Sequence, residues 1–214
     1  DRKCDVSRQS VDRGGRCIIV ERITAEGTTT VLIDTSPDMR DQLLDAGVQG
    51  MDGVVYTHAH ADHMNGIDDL RQLTYRQRRR IPVWADGPTQ EALLGRFGYA
   101  FVQPPGSPYP PILDLNTIDG AFAVAGPGGE IAFTPFRADH GSTDALGFRI
   151  GPLAYLPDAV EIPEESWPLL AGLDCWIVDA LRRKPHPTHA HLALTLDWIA
   201  RAKPQRAVIT DMHI

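Results

Sequence analysis

The chain has 214 residues, enough to bury a substantial core, and its 21 basic and 28 acidic side chains leave a formal charge of −7. That balance argues against a surface that holds nucleic acid mainly by charge and favours a small substrate. No stretch approaches the roughly 20 apolar residues of a membrane span, the first residues do not read as a signal peptide, and no linker interrupts the chain, so a single cytoplasmic domain over residues 1–214 is expected.

Three cysteines, Cys4, Cys17 and Cys175, cannot all pair and show no disulfide framework. The β-branched runs at 17–22 and 29–34, joined by Thr24-Ala25-Glu26-Gly27, read as a hairpin. A helix over 38–46 follows, with Gly47 as its stop. Asp34 ends the second run just before a turn, where it serves either as a turn or cap residue or as an acid that orients a metal ligand from behind.

The run Val54-Val55-Tyr56 has strand composition and leads into Thr57-His58-Ala59-His60-Ala61-Asp62-His63, then into a helix carrying residues 64–73. Imidazole nitrogen and carboxylate oxygen are common ligands of zinc and similar cations. His58 and His60 point the same way on an extended backbone and can grip one ion. Asp62 and His63 fall on a turning backbone and face a second ion, so the cluster predicts two metals.

Residues 71–80 form the one strongly basic stretch of an acidic chain. Such a run is either a solvated face or a source of guanidinium groups for a phosphate, with Arg76 and Arg78 as candidates. A strand over 81–85 and a helix over 88–97 come next. Residues 98–129, with Pro104-Pro105-Gly106-Ser107-Pro108-Tyr109-Pro110-Pro111, read as a long surface excursion that flanks the site or a neighbouring subunit of a homodimer.

The remaining strands end on polar groups. One over 131–137 runs into Asp139-His140-Gly141, which makes His140 the missing ligand of the first ion. A hairpin over 145–150 and 153–156 ends at Asp158, whose two oxygens suit a bridge between two cations. After a short helix over 163–170 and an apolar strand over 176–180, His186, His189 and His191 gather at the mouth of a helix that runs to about 202. A histidine there suits proton transfer near neutral pH. The last strand, 206–210, stops at Asp211-Met212-His213, where another ligand is expected.

The heptapeptide 57–63 resembles the T-H-x-H-x-D-H signature of the metallo-β-lactamase superfamily. With Leu32-Ile33-Asp34-Thr35, Asp139-His140, Ala154-Tyr155-Leu156-Pro157-Asp158 and Pro187-Thr188-His189-Ala190-His191-Leu192, the chain is similar to the phosphoribosyl 1,2-cyclic phosphate phosphodiesterases and their metal-dependent hydrolase relatives. The resemblance implies an α/β fold, the αββα sandwich of two mixed sheets flanked by helices, here lacking its first strand and last segment. It also implies two divalent ions, zinc or manganese with iron as an option. The first lies on His58, His60 and His140, and the second on Asp62 and His63, with Asp158 between them. His189 is then the general acid, and Asp62 joins it as a catalytic candidate.

The family's final ligand is usually a histidine where this chain has Asp211, so either Asp211 or His213 completes the second site. The family's N-terminal cysteine cluster is reduced to Cys4. His191 and His213, with Arg76 and Arg78, are candidates for substrate binding. The implied activity is hydrolysis of a small cyclic or nucleotide-like phosphodiester. A lactonase or thioesterase acting on a carbonyl, or a metal-binding but inactive homologue, is the alternative.

Overall fold

The computed structural model describes residues 4–5 and 17–213, so the side chain of Cys4 and any cysteine site around it fall outside it. The sequence reads as one domain, and its internal contacts group it into two compact units. One comprises Asp1–Asp119 with Ala123–Ile131, the other Gly120–Phe122 with Ala132–Ile214.

The first unit is organised on a six-stranded sheet in the order β1-β2-β3-β4-β5-β6. Strands β2 (Ile18–Thr24) and β3 (Gly27–Ile33) form the expected hairpin, but the pairing continues to Thr24 opposite Gly27 and leaves a two-residue turn. β1 (Cys4–Asp5) pairs antiparallel with β2. From β3 onward the sheet is parallel, through β4 (Gly53–Val55), β5 (Ile81–Ala85) and β6 (Leu113–Thr117). Parallel strands are buried on both faces, which explains the unbroken apolar runs at Val31-Leu32-Ile33 and Val54-Val55.

Helix α1 (Met39–Asp45) follows β3 and stops at Gly47, whose φ of 69° is left-handed. The expected single helix over 64–73 is divided. A four-residue α2 (Ala61–Met64) is followed by a 3₁₀ turn (Ile67–Asp69) and then α3 (Leu70–Gln77). The break has a tertiary cause at Gly66, where an added Cβ would lie 2.1 Å from the carbonyl oxygen of Ser36. There the chain presses against the turn after β3, with Gly66 N donating to Thr35 O at 2.9 Å and Thr35 N to His63 O at 2.7 Å. Helix α4 (Gly87–Phe101) begins as expected, with Pro88 in its first turn and Asp86 Oδ1 accepting from Thr89 N at 3.1 Å. It runs four residues further than its sequence suggests, across a kink at Phe97. Met39, Leu43, Leu70 and Leu93 from these helices pack on Leu32, Val54 and Val83 of the sheet.

The excursion expected over 98–129 is much shorter than its composition suggests. Residues 98–101 are helical, and β6 and β7 (Phe122–Val124) interrupt the remainder, leaving 102–112 as its longest irregular stretch. Proline excludes regular structure at its own position and its neighbours, whereas Leu113 is already beyond its reach and pairs with Ile81.

The second unit repeats the mixed plan in the order β12-β11-β10-β9-β8-β7. β8 (Ile131–Asp139) and β10 (Leu153–Leu156) both run antiparallel to β9 (Asp144–Ile150) and so point the same way. β11 (Cys175–Asp179) and β12 (Arg206–Thr210) are parallel to β10. The strands β8, β10, β11 and β12 therefore deliver their C-terminal residues to one edge of this sheet. A 3₁₀ helix (Glu164–Leu170) and α5 (Leu192–Ala202) cover it, with Leu170 and Trp198 packed among Phe136, Leu156, Trp176 and Val178. Two mixed sheets with their helices are the content of the αββα class that the resemblance implied. No helix among the described residues is long and apolar enough to cross a membrane.

Candidate metal centre

In the first unit the donors follow the C-terminal ends of the parallel strands β3 and β4, the usual place for ligand groups in such sheets. Asp34 is fully buried and holds a left-handed φ of 63°, a conformation that aspartate tolerates better than most residues. Its carboxylate collects three hydrogen bonds. Oδ1 accepts from Thr57 N at 2.8 Å, and Oδ2 accepts from Thr57 Oγ1 at 2.7 Å and from His63 Nδ1 at 2.8 Å. Burial raises the Asp34 pKa above the ordinary carboxylate range, while His63 and the Thr57 donors pull against it.

This hydrogen-bond chain fixes two tautomers. The one hydroxyl proton of Thr57 goes to Asp34, so its contact with His58 Nδ1 at 3.0 Å has the imidazole as donor. His63 Nδ1 likewise donates to Asp34. Both rings then carry their lone pair on Nε2, the arrangement found when an oxygen behind a histidine orients it toward an ion. The rings are close together. The His58 centroid lies 4.6 Å from that of His60 and 4.3 Å from that of His63. Asp62, in the first turn of α2, keeps its side chain half exposed with Oδ2 3.9 Å from His63 Nε2.

In the second unit His140 is buried just past β8, and its Nδ1 donates to Thr188 O at 2.6 Å, again leaving the lone pair on Nε2. That Nε2 lies 3.7 Å from Oδ2 of the buried Asp158, two residues beyond β10. Asp158, Asp179, His189 and Asp211 each place one oxygen or nitrogen within 4.8 Å of the others, a group able to hold a cation. Within it His189 Nδ1 is 3.1 Å from Asp179 Oδ2, 3.6 Å from Asp158 Oδ1 and 4.0 Å from Asp211 Oδ2. The first is a hydrogen bond and the other two are not, so Asp179 sets the ring. Asp211 adopts a φ of 66°, matching the turn at Asp34.

Several sequence candidates lie elsewhere. Arg76 and Arg78 are exposed at the last turn and C-cap of α3, three to five residues before β5 begins. They stand at the N-terminal edge of the parallel strands, whereas the histidines follow the C-terminal edge, and the direction of β5 keeps them apart. Their neighbours Arg79 and Arg80 pair with Asp52 and Asp114, so this stretch reads as a solvated face. The arginine found at the donor loop is Arg96 of α4, whose Nη1 donates to Ala59 O at 2.7 Å, between the two histidines. No local pattern announces it, because its contact depends on helix phase. His191 takes the N-cap position of α5, and the exposed His213 stands outside the acid group that includes Asp211. His186 has its pKa lowered by partial desolvation and then by the neighbouring charges of His189, Arg182 and His213. Asp179 was missed as a site residue, although it ends a strand just as Asp34, Asp158 and Asp211 do.

The sequence model of the beta-lactamase superfamily domain matches residues 29–214, which run through both units. The chain belongs to the metallo-β-lactamase superfamily. A crystal structure described as a new diphosphatase from the PhnP family is 34% identical to this superfamily member. The match covers 98% of this chain and 78% of that one at a TM-score of 0.79. Among curated sequences, the octanoyltransferase of Porphyromonas gingivalis (strain ATCC BAA-308 / W83) is 34% identical over 197 residues, 89% of this chain. The chain spans 38% of the length of that protein. Zn²⁺-bound PqqB from Methylobacterium extorquens shares the superfamily fold at 15% identity and a TM-score of 0.69, covering 91% of this chain and 76% of that one.

Proposed function

We propose that this chain is a dinuclear metal-dependent phosphodiesterase. In this reading His58, His60, His140 and Asp158 hold one ion, while Asp62, His63, Asp158 and Asp211 hold the other. The observation that carries it is the orientation of the imidazoles. His58, His63 and His140 each donate through Nδ1 to an oxygen of the protein, and nitrogen and oxygen donors of this kind suit zinc, manganese or iron. When bound, such ions bring the pKa of a water down toward about 7 and neutralise charge on a phosphoryl oxygen.

The chain's own residues supply the rest. Asp34 and Thr57 hold His58 and His63 in their tautomers. Asp179 holds His189 by Nδ1 and stabilises its protonated form, so Nε2 carries a proton to the oxygen of the departing alcohol. The diphosphatase relative supports chemistry at phosphorus. The octanoyltransferase name belongs to a protein more than twice as long and is not carried over.

The test is metal quantification on the purified protein, coupled to a panel of bis(p-nitrophenyl) phosphate, 2′,3′-cyclic AMP, a lactone and a thioester. Two ions per chain, with phosphodiester turnover abolished by a chelator and restored by Mn²⁺ or Zn²⁺, is the expected outcome. Turnover confined to the lactone or thioester would overturn the substrate class, and one ion with no turnover would mark an inactive homologue.

A further inference from the structure

Two imidazoles of the donor loop are held by their rings, His58 through Thr57 and His63 through Asp34. His60 is held by its backbone. It is the N-cap of α2, extended at φ −71° and ψ 153°, and both peptide groups that flank its Cα are engaged. On one side His60 O accepts from His63 N at 3.1 Å. On the other, the Ala59 carbonyl shares a peptide plane with the His60 N–H and accepts from Arg96 Nη1 at 2.7 Å. Pinning both planes fixes the two dihedral angles between them, and so the direction in which the His60 ring leaves the chain.

Arg96 reaches further than this carbonyl. The same Nη1 lies 3.1 Å from Met64 Sδ, so its two hydrogens engage both the peptide before His60 and the last residue of α2. A four-residue helix cannot stand by itself, and Asp62 and His63 ride on it. The arginine has a firm base. Leu93, three residues earlier on α4, is fully buried, and Phe97, at the kink, packs on the same core as Ala59. A fixed stem thus extends to residues 56–60, which belong to no helix or strand. Charge acts in the opposite sense. A guanidinium near a cation site repels the ion, so an arginine acting there through charge alone weakens metal binding and its removal tightens it. A clasp predicts the reverse.

We propose, on the reading that places His60 on the first ion, that Arg96 is a positioning residue of the metal centre, clasping the donor loop so that His60 meets its ion. The test is chelator competition for Zn²⁺ on the full chain, in the wild type, Arg96→Met and Arg96→Ala. Arg96→Met keeps an apolar stem and loses the donors and the charge. One ion should weaken roughly 10- to 100-fold, the range for groups that hold a metal ligand from behind. The visible spectrum of Co²⁺-loaded Arg96→Met should differ from that of the wild type. Guanidinium chloride, far below denaturing strength, should restore affinity to Arg96→Ala where an equal concentration of sodium chloride does not. With metal saturating, KM for bis(p-nitrophenyl) phosphate should stay at the wild-type value, and metal-free Arg96→Met, changed at an exposed position, should melt with the wild type.

Unchanged or tighter metal binding by Arg96→Met would overturn the proposal, and tighter binding would leave charge as the only effect. So would weaker binding that accompanies a lower melting temperature and resists guanidinium, which is general destabilisation, or a raised KM at wild-type metal affinity, which is contact with substrate. A wild type that hydrolyses phosphodiesters, beside an Arg96→Met that holds both ions as tightly, keeps the reaction and loses the clasp. A wild type that binds metal and hydrolyses no phosphodiester loses the reaction, and weaker, guanidinium-restored binding in the variants still establishes the clasp. A wild type that binds no metal would overturn both.

Discussion

Replacing Asp34 by asparagine tests how the donor loop is set. Asparagine tolerates the left-handed φ of 63° at least as well as aspartate, so the change leaves the backbone turn alone and acts on the hydrogen bonds. All three bonds at this side chain are received: one by Oδ1 from Thr57 N, two by Oδ2 from Thr57 Oγ1 and His63 Nδ1. An amide has one acceptor and one double donor. If its NH₂ takes the Oδ1 place, it faces the Thr57 N–H, and a buried donor left without an acceptor costs about 1–3 kcal/mol. For a chain of this size that lowers the melting temperature by about 2–12 °C. If the NH₂ takes the Oδ2 place, His63 relieves the conflict by moving its proton to Nε2, which removes the lone pair offered to an ion.

Metal affinity therefore falls either through a loosened Thr57 or through the wrong His63 tautomer, by about 10- to 100-fold. Thermal unfolding of the metal-free protein reads the first effect, and competition with a chromophoric chelator for Zn²⁺ or Mn²⁺ reads the second. Nitrogen-15 shifts of the His63 ring distinguish the two orientations. An Asp34→Asn protein with wild-type melting and wild-type metal affinity would refute the account of how these imidazoles are held.

Three further outcomes follow from the geometry. Gly66→Ala drives a methyl to within 2.1 Å of the Ser36 carbonyl, so chemical denaturation should show a loss of about 1–3 kcal/mol or more; a change under about 0.5 kcal/mol would show that the turn has room to give. The Cys17 thiol is pushed up to about 11 by burial, so at pH 8 only about one molecule in a thousand carries the thiolate. Iodoacetamide should accordingly leave Cys17 unmodified in the native protein and label it on unfolding, as read by mass spectrometry. Asp179→Asn leaves His189 without its carboxylate. Hydrolysis of esters with poor leaving groups should then slow by about 10²- to 10⁴-fold while p-nitrophenyl esters change little, and an equal loss on both would assign Asp179 a role in holding metal.

The donor loop was legible because its residues are neighbours in sequence, so that four candidate ligands within six positions need no tertiary knowledge. Asp158 and Asp211 were legible through a rule of place, since each closes a strand at a carboxyl edge. Asp179 obeys the same rule, but it closes an unbroken apolar strand and is followed by three histidines whose chemistry is the more conspicuous signal. What failed depended on contacts across the chain. The helix expected over 64–73 breaks because a carbonyl from the turn after β3 leaves no space for a side chain at position 66. For the basic stretch composition left two readings open, a solvated face or a phosphate contact, and only the direction of β5, which sets Arg76 and Arg78 at the opposite edge of the sheet, favours the solvated face. Prolines at 104–111 suggested an excursion of some thirty residues, although pairing with β5 restores a strand at Leu113.

The partners that orient the first imidazoles all come early in the chain. Asp34 and Thr57 precede or adjoin the rings they steer, and the turn at Thr35 that braces α2 through His63, Met64 and Gly66 precedes them all. On a ribosome these groups emerge together, well before His140, Asp158 and Asp211 are translated. Under the proposed ligand set, the order of synthesis predicts an order of metal loading, in which a nascent chain presents oriented imidazoles to an ion while its remaining ligands are still being made. Loading measured on ribosome-stalled chains of increasing length would show at which residue retention of the ion begins.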